Sequence, residues 1–191
     1  MARRVEVRVV LTATIEIGAV FEAEIERVAH GGEGVAHLEG LVVFVPWTAP
    51  GDVVRGEIVE LRARWARARL VEGLEPAPRR VAPGCPVFTT CGGCQLQQLS
   101  PDDQRAVKAQ AVADALARIA RVEPPASIEC RPAAEPWHYR QRATFTWRWD
   151  GQRLGLGFHA AALPHGTVSP RDLVDVHACP IFAEAGNSRL A

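Results

Sequence analysis

Three of the five cysteines in this 191-residue chain lie close together. Cys85, Cys91 and Cys94 have the spacing C-x5-C-x2-C, with Gly92-Gly93 between the last two. Cys179 lies far along the chain and, like Cys85, precedes a proline. Four thiolates can complete either a tetrahedral zinc site or a four-iron cluster. The pattern therefore predicts a metal site and leaves both metals open, with three buried unmetallated thiols as the weaker alternative.

The fifth cysteine, the charge balance and the hydrophobic pattern narrow the possible ligands, partners and location of the protein. Cys130 stands alone, which is more typical of a partly buried small side chain than of a ligand. The 22 basic and 22 acidic residues cancel, so an anionic partner can be indicated only by local patterns. The N-terminus alternates apolar and polar residues, and no apolar run is long enough to span a membrane. We therefore expect a cytoplasmic protein, in which clustered cysteines indicate metal rather than disulfides.

The N-terminal segment, 1–73, predicts a small closed barrel. Short alternating runs are separated by turns such as Gly31–Gly34 and Ala49–Asp52. Five-stranded OB-like barrels bind oligonucleotides on one face. Its candidate RNA contacts are His30, Arg62 and Arg64, although a solvated basic strand is an equally good interpretation.

The region 85–182 predicts a mixed α+β structure with antiparallel strands, after a proline-rich linker at 74–84. Ser100-Pro101 predicts the start of a helix, and Asp150-Gly151 predicts a hairpin turn. The helix carries one apolar stripe, formed by Val107, Val112, Leu116 and Ile119. No phosphate-binding glycine motif and no nucleophile with a base partner is evident in the sequence.

The segment WHYRQRATFTWRW, residues 137–149, alternates aromatic and basic residues. In a strand, one face would form an aromatic core and the other a cationic surface. Arg140 and Arg142 on the cationic face are candidate contacts for RNA phosphates, and a merely solvated face is the alternative. The proposed core residues are Tyr139, Phe145, Trp147 and Trp149.

Four stretches resemble the RNA uracil-C5 methyltransferases that carry an iron–sulfur cluster. AHGGEGVAHLEGLVVFVPWTAPGD resembles their TRAM domain, and CPVFTTCGGCQLQQLS resembles their cluster signature. WHYRQRATF is similar to the Tyr-Arg-x-(Arg/Lys) strand of their central domain, and LVDVHACPI to the segment with the fourth cysteine. The resemblance implies a [4Fe–4S] cluster on Cys85, Cys91, Cys94 and Cys179, with zinc as the weaker option.

The resemblance also implies a function. The family methylates rRNA or tRNA with S-adenosylmethionine, through a C-terminal domain that we do not find in this chain; residues 183–191 would be its truncated start. We therefore expect an RNA-recognition part that binds structured RNA, is not catalytic alone, and would work with a separate methyltransferase domain if the gene is split. The alternative is a stand-alone, non-enzymatic RNA-binding module with a structural metal site.

Overall fold

The computed structural model describes residues 10–11, 14–161 and 172–190. The chain separates into two compact units between Arg80 and Val81. Among the described residues, no helix has the length and apolar character needed to cross a membrane. The structure is a mixed one, rich in sheet and with few helices, as the sequence predicts.

The N-terminal unit is a single sheet of seven described strands in the order β1-β2-β6-β7-β5-β4-β3. All neighbouring strands are antiparallel except β5 and β7, which are parallel. The strands are β1 Val10–Leu11, β2 Val20–Glu24, β3 Arg27–Val28, β4 Gly34–Leu38, β5 Leu41–Val45, β6 Val53–Leu61 and β7 Trp65–Glu75.

The pairing differs from the predicted five-stranded closed barrel. The continuous segment from Val20 to Val28 supplies β2 to one side of the sheet and β3 to the other. Among the described strands, no ladder joins the two ends of the order, so a closed barrel is not formed by these hydrogen bonds. Alternation along β2 buries Phe21 and Ala23, as a strand with one face in a core requires. The core is completed by aliphatic side chains from β4 to β7.

A buried carboxylate holds the chain that follows β7. Asp52 is almost fully buried and accepts hydrogen bonds from the backbone amides of Ala49, at 2.7 Å, and Ala77, at 2.8 Å. Arg80 forms an ion pair with the same carboxylate. Part of the segment expected as a linker is therefore bonded to the N-terminal sheet, because Asp52 requires partners there.

The second unit contains a helix, α1 (Pro101–Ala115), which continues as one π-helical turn (Leu116–Ala120). Its predicted start is confirmed: the Ser100 hydroxyl accepts a hydrogen bond from the Asp103 amide at 3.1 Å, and Pro101 occupies the first turn. The remaining elements are β8 Thr146–Trp149, β9 Leu154–His159, β10 Leu173–Asp175 and α2 Glu184–Asn187.

The three strands of this unit form an antiparallel sheet in the order β10-β9-β8. The predicted hairpin is confirmed, with Trp149 opposite Leu154 across the turn. The Asp150 carboxylate accepts hydrogen bonds from the amides of Gln152 and Arg153, and these bonds lower the pKa of Asp150. The short side chain therefore fixes the turn that the sequence indicated.

The predicted aromatic core of residues 137–149 is wrong. Only Thr146–Trp149 forms a strand, and it lies at the edge of the sheet. Trp147 and Trp149 are 67% and 58% exposed. Phe145 alone packs as expected, against Phe158 and Phe182 at ring-centre distances of 4.7 and 5.7 Å.

The apolar stripe of α1 also differs from expectation. No residue of α1 is buried, and Ile119 in the π-helical turn is 83% exposed. Periodicity predicted the helix correctly, but it does not show whether a surface covers the stripe.

Candidate functional site

The loop from Cys85 to Cys94 is folded by its own backbone and by the end of β9. The amides of Phe88 and Cys91 bond to the carbonyls of Cys85 and Val87, at 3.1 and 2.9 Å. The amide of Gly92 donates to the carbonyl of His159 at 3.0 Å. A Cβ atom on Gly92 would lie 3.1 Å from the carbonyl oxygen of Ala160. The glycine therefore permits the loop to approach the strand closely.

The Cys179 loop follows β10 and is held by Asn187 at the end of α2. The Cys179 amide donates to Asn187 Oδ1 at 2.8 Å, and Asn187 Nδ2 donates to the carbonyls of Cys179 and Phe182, both at 3.0 Å. Sequence reasoning missed Asn187, because it treated 183–191 as the start of another domain. No signal in the sequence distinguishes this asparagine from one at an ordinary helix end.

The two loops meet, so that all four predicted ligands line one cleft. Cys85, Cys91, Cys94 and Cys179 are each half-buried, and the other walls are mainly apolar. Among the described residues, no group of three or more histidine, cysteine or acidic side chains is arranged to hold one metal ion. Cys130 does not line the cleft. The apolar wall includes Phe88, Phe158, Val176 and Ile181.

The thiols are influenced by burial and by one another. Burial raises the pKa of Cys91 and of Cys94, and the neighbouring cysteines raise both further. The Gly93 amide, 3.4 Å from the Cys91 sulfur, lowers the pKa of that thiol. At Cys94 the opposing influences are the Gln97 amide and the charge of Arg140. Metal binding would therefore have to displace protons from these thiols.

Gln97 supplies a buried donor at the cleft. Its Oε1 accepts a hydrogen bond from the Cys85 amide at 3.0 Å, whereas its buried Nε2 forms no hydrogen bond with the described part of the chain. The same side chain lies next to Cys94 and lowers its pKa. An unpaired buried amide is unfavourable unless an acceptor is supplied. A group with anionic sulfur in the cleft would supply one, so the residues present fit such a group.

The candidate RNA contacts are divided between the two units. His30 and Arg64 are exposed in the N-terminal unit, and Arg142 is exposed in the second. Arg140 instead lies at the cysteine cleft. It is there because its backbone bonds to Ile181 and Ala183, on the segment that follows Cys179, rather than continuing β8.

Three arginines of the N-terminal unit, Arg62, Arg67 and Arg69, form ion pairs with glutamates. Arg62 pairs with Glu60, and Arg69 pairs with Glu57. Arg67 pairs with Glu33 and Glu60. The charges of Arg67 and Arg69 on β7 are therefore balanced by glutamates in the free protein.

Comparison with known families supports the N-terminal assignment. Residues 15–71 match the family model of the TRAM domain. The matched range covers β2 to β6 and most of β7, so the N-terminal strands are TRAM-like.

The chain is also homologous to RNA methyltransferases over most of its length. It is 37% identical over 172 residues to an uncharacterized RNA methyltransferase of Protochlamydia amoebophila, covering 90% of this chain and 38% of that protein. It is 34% identical over 171 residues to the 23S rRNA (uracil(1939)-C(5))-methyltransferase RlmD of Shewanella baltica, covering 88% of this chain and 36% of the relative. The chain thus spans little more than a third of the length of these relatives.

The fold is similar to that of a solved methyltransferase structure. The tRNA (uracil-54, C5)-methyltransferase of Pyrococcus abyssi, in complex with S-adenosyl-L-homocysteine, has a TM-score of 0.55 and 24% identity. The alignment covers 88% of this chain and 34% of that chain.

Proposed function

We propose that this chain is the RNA-recognition part of an S-adenosylmethionine-dependent RNA (uracil-C5) methyltransferase that acts on rRNA or tRNA, and that it is not catalytic alone. The observation that carries the proposal is the similarity to RNA methyltransferases over 90% of the chain, together with the TRAM match. S-adenosylmethionine would bind to a domain outside this chain.

We further propose that Cys85, Cys91, Cys94 and Cys179 hold a [4Fe–4S] cluster. Their convergence on one cleft supports this, as does the unpaired Gln97 amide beside Cys94. Single-ion zinc is the weaker option because structural zinc sites usually have two C-x2-C pairs, and here only Cys91 and Cys94 form one. The cluster would supply four bonds that join the Cys85–Cys94 loop to the Cys179 loop. Methyl transfer to uracil needs no electron from it.

The protein's own residues have a separate task. A uracil in folded RNA must be unstacked before it can react, at a cost of a few kcal/mol. Binding energy from the TRAM-like sheet and from the second unit can offset that cost. We propose RNA contacts at His30, Arg62, Arg64, Arg140 and Arg142. Arg62 would then exchange Glu60 for a phosphate, so its net contribution should be small.

Metal analysis of protein purified without oxygen tests the cluster. We expect about four irons and four sulfides per chain, and loss of both when Cys91 or Cys179 is replaced by serine. Cys130→Ser is the matched control and should keep its iron. Stoichiometric zinc without iron would contradict the cluster.

RNA binding and methyl transfer test the rest. We expect binding of structured rRNA or tRNA with a steep salt dependence, and no methylation by this chain with S-adenosylmethionine. If a methyl-donor domain is added as a separate protein, we expect methylation of the RNA to be restored. If the chain binds RNA but no methyl-donor domain encoded in the same genome restores methylation, the non-enzymatic RNA-binding module would be favoured instead.

A further inference from the structure

A second depression adjoins the cysteine cleft in the second unit. It lies between α1 and the segment from Pro136 to Arg140, and its floor is the chain from Gly93 to Gln97. Unlike the cysteine cleft it is open and has both polar and apolar walls. We call it the α1 groove. Four of its side chains carry the argument: Trp137, Tyr139, Lys108 and Arg140.

Two aromatic rings of the groove remain accessible. Trp137 is 37% exposed and Tyr139 is 57% exposed, although both are large rings that a folded chain normally covers. The Trp137 ring nevertheless lies against the backbone of Gly84, because a Cβ atom on that glycine would be 3.1 Å from its six-membered ring. The tryptophan therefore contacts the chain on one side and remains accessible on the other.

The backbone between the two rings is strained. His138 has a φ of +54°, in the left-handed region that non-glycine residues rarely adopt. Its amide donates to the Pro180 carbonyl at 2.9 Å, and its Nδ1 lies 3.0 Å from the Phe182 carbonyl oxygen. Such conformations persist only where the surroundings enforce them, and they occur often at ligand sites. Here the strained residue separates the two aromatic side chains that line the groove.

Two basic side chains, Lys108 and Arg140, line the groove, and none of its described lining residues is a carboxylate. Neither cation forms an ion pair within the described part of the chain, in contrast to Arg67 and Arg69 on β7. In a chain of zero net charge, Lys108 is therefore a local positive charge, and Arg140 is a second one that the groove shares with the cysteine cleft. Three glutamine amides, from Gln95, Gln97 and Gln104, line the groove as well.

We propose that the α1 groove binds a single-stranded segment of RNA, with an unstacked base against Trp137 or Tyr139 and its flanking phosphates near Lys108 and Arg140. Exposed aromatics stack on any base, and neighbouring cations follow the phosphate backbone. Gln95 and Gln104 each donate one side-chain N–H to a backbone carbonyl, which leaves a second N–H and the amide oxygen for base edges. The assignment rests on the proposed function, since it takes RNA as the ligand, and it adds the place where an unpaired nucleotide is held.

The test is a binding titration of the cluster-loaded chain with a single-stranded oligouridylate of about six nucleotides. We expect Trp137→Leu/Tyr139→Leu to weaken binding about tenfold or more, since base stacking on one aromatic residue has at least that effect in comparable sites. The matched control is Trp147→Leu/Trp149→Leu, which removes two more exposed aromatics outside the groove and should change the affinity less than about twofold. An abasic oligomer has no base to stack, so its affinity should be the same for Trp137→Leu/Tyr139→Leu as for the wild type.

A variant that cannot disturb packing guards against misfolding. Lys108→Gln changes an exposed helix residue and should reduce the slope of log affinity against log salt by about one. If both double variants and Lys108→Gln bind the oligomer with the affinity of the wild type, the groove is not the binding site for single-stranded RNA. If the wild type binds structured rRNA but not the oligomer, the groove proposal fails and the proposed function stands. If it binds neither, the proposed function itself fails.

Discussion

Asn187 makes the sharpest test of how the Cys179 loop is held. Its side chain forms three hydrogen bonds, one from the Cys179 amide and two to the carbonyls of Cys179 and Phe182. Replacing Asn187 by alanine removes all three. A hydrogen bond contributes about 0.5–1.5 kcal/mol net. Because Asn187 is only half-buried, water can replace part of each bond, and we expect a total loss of about 2 kcal/mol.

A loss of about 2 kcal/mol corresponds to a roughly 30-fold larger population of the opened loop. Hydrogen exchange measures that population directly. The reporter is the Phe182 amide, which donates to the Cys179 carbonyl at 2.9 Å and does not itself bond to Asn187. In Asn187→Ala its protection should fall about 30-fold if exchange follows opening of the loop. The protein should also retain less iron during purification.

The control is Ser188→Ala, in the turn after the same short helix. The Ser188 hydroxyl donates to the Ala185 carbonyl at 3.0 Å, and within the described part of the chain it forms no hydrogen bond with the Cys179 loop. Removing this hydroxyl should leave the hydrogen-exchange protection of the Phe182 amide unchanged. Protection of Phe182 that falls less than about threefold in Asn187→Ala would refute the reasoning, because the loop would then be held by other contacts.

Two further changes test the packing of each unit. Gly157→Ala should disrupt the three-stranded sheet, since its Cβ would lie 1.8 Å from the Val174 carbonyl oxygen. In the control, Gly155→Ala, the nearest atom is the end of a flexible side chain. Thermal unfolding followed by circular dichroism should therefore show a much smaller decrease in Tm for Gly155→Ala than for Gly157→Ala. Asp52→Ala leaves two buried amides and an arginine without their acceptor, so urea unfolding of the N-terminal unit should show a loss of about 3–5 kcal/mol. The exposed Glu24→Ala should change it by less than about 0.5 kcal/mol. Equal stability of each variant and its control would contradict these expectations.

Local signals predicted local structure well. Ser100 caps the helix that its position indicated, and Asp150-Gly151 forms the predicted turn, because each depends on residues within four positions. The cysteine spacing also selected residues that do meet in one cleft. For these cysteines, the prediction came from the chemistry of the thiol as a metal ligand rather than from any preference for a local conformation.

Features that depend on a neighbouring strand could not be predicted in this way. The arginines of β7 look like an anion-binding run, yet the β6–β7 register places Glu57 opposite Arg69 and Glu60 opposite Arg67. A run of charges read along one strand does not show its partners on the next. The alternation that predicted an aromatic core likewise could not show that Trp147 would lie on an uncovered edge strand.

The cysteine cleft and the α1 groove are not independent. Cys94, Gln97 and Arg140 line both. Gln97 joins them most directly, because its Oε1 is fixed by the Cys85 amide while its Nε2 is the unpaired donor beside Cys94. A cluster that engages this donor would also fix one wall of the groove. Since coupling between two binding sites is reciprocal, cluster content and affinity for single-stranded RNA should then change together. Gln97→Leu should therefore reduce both, whereas Gln104→Leu should affect only RNA binding, because Gln104 lines the groove and bonds to the Leu99 carbonyl rather than to the cysteine loop.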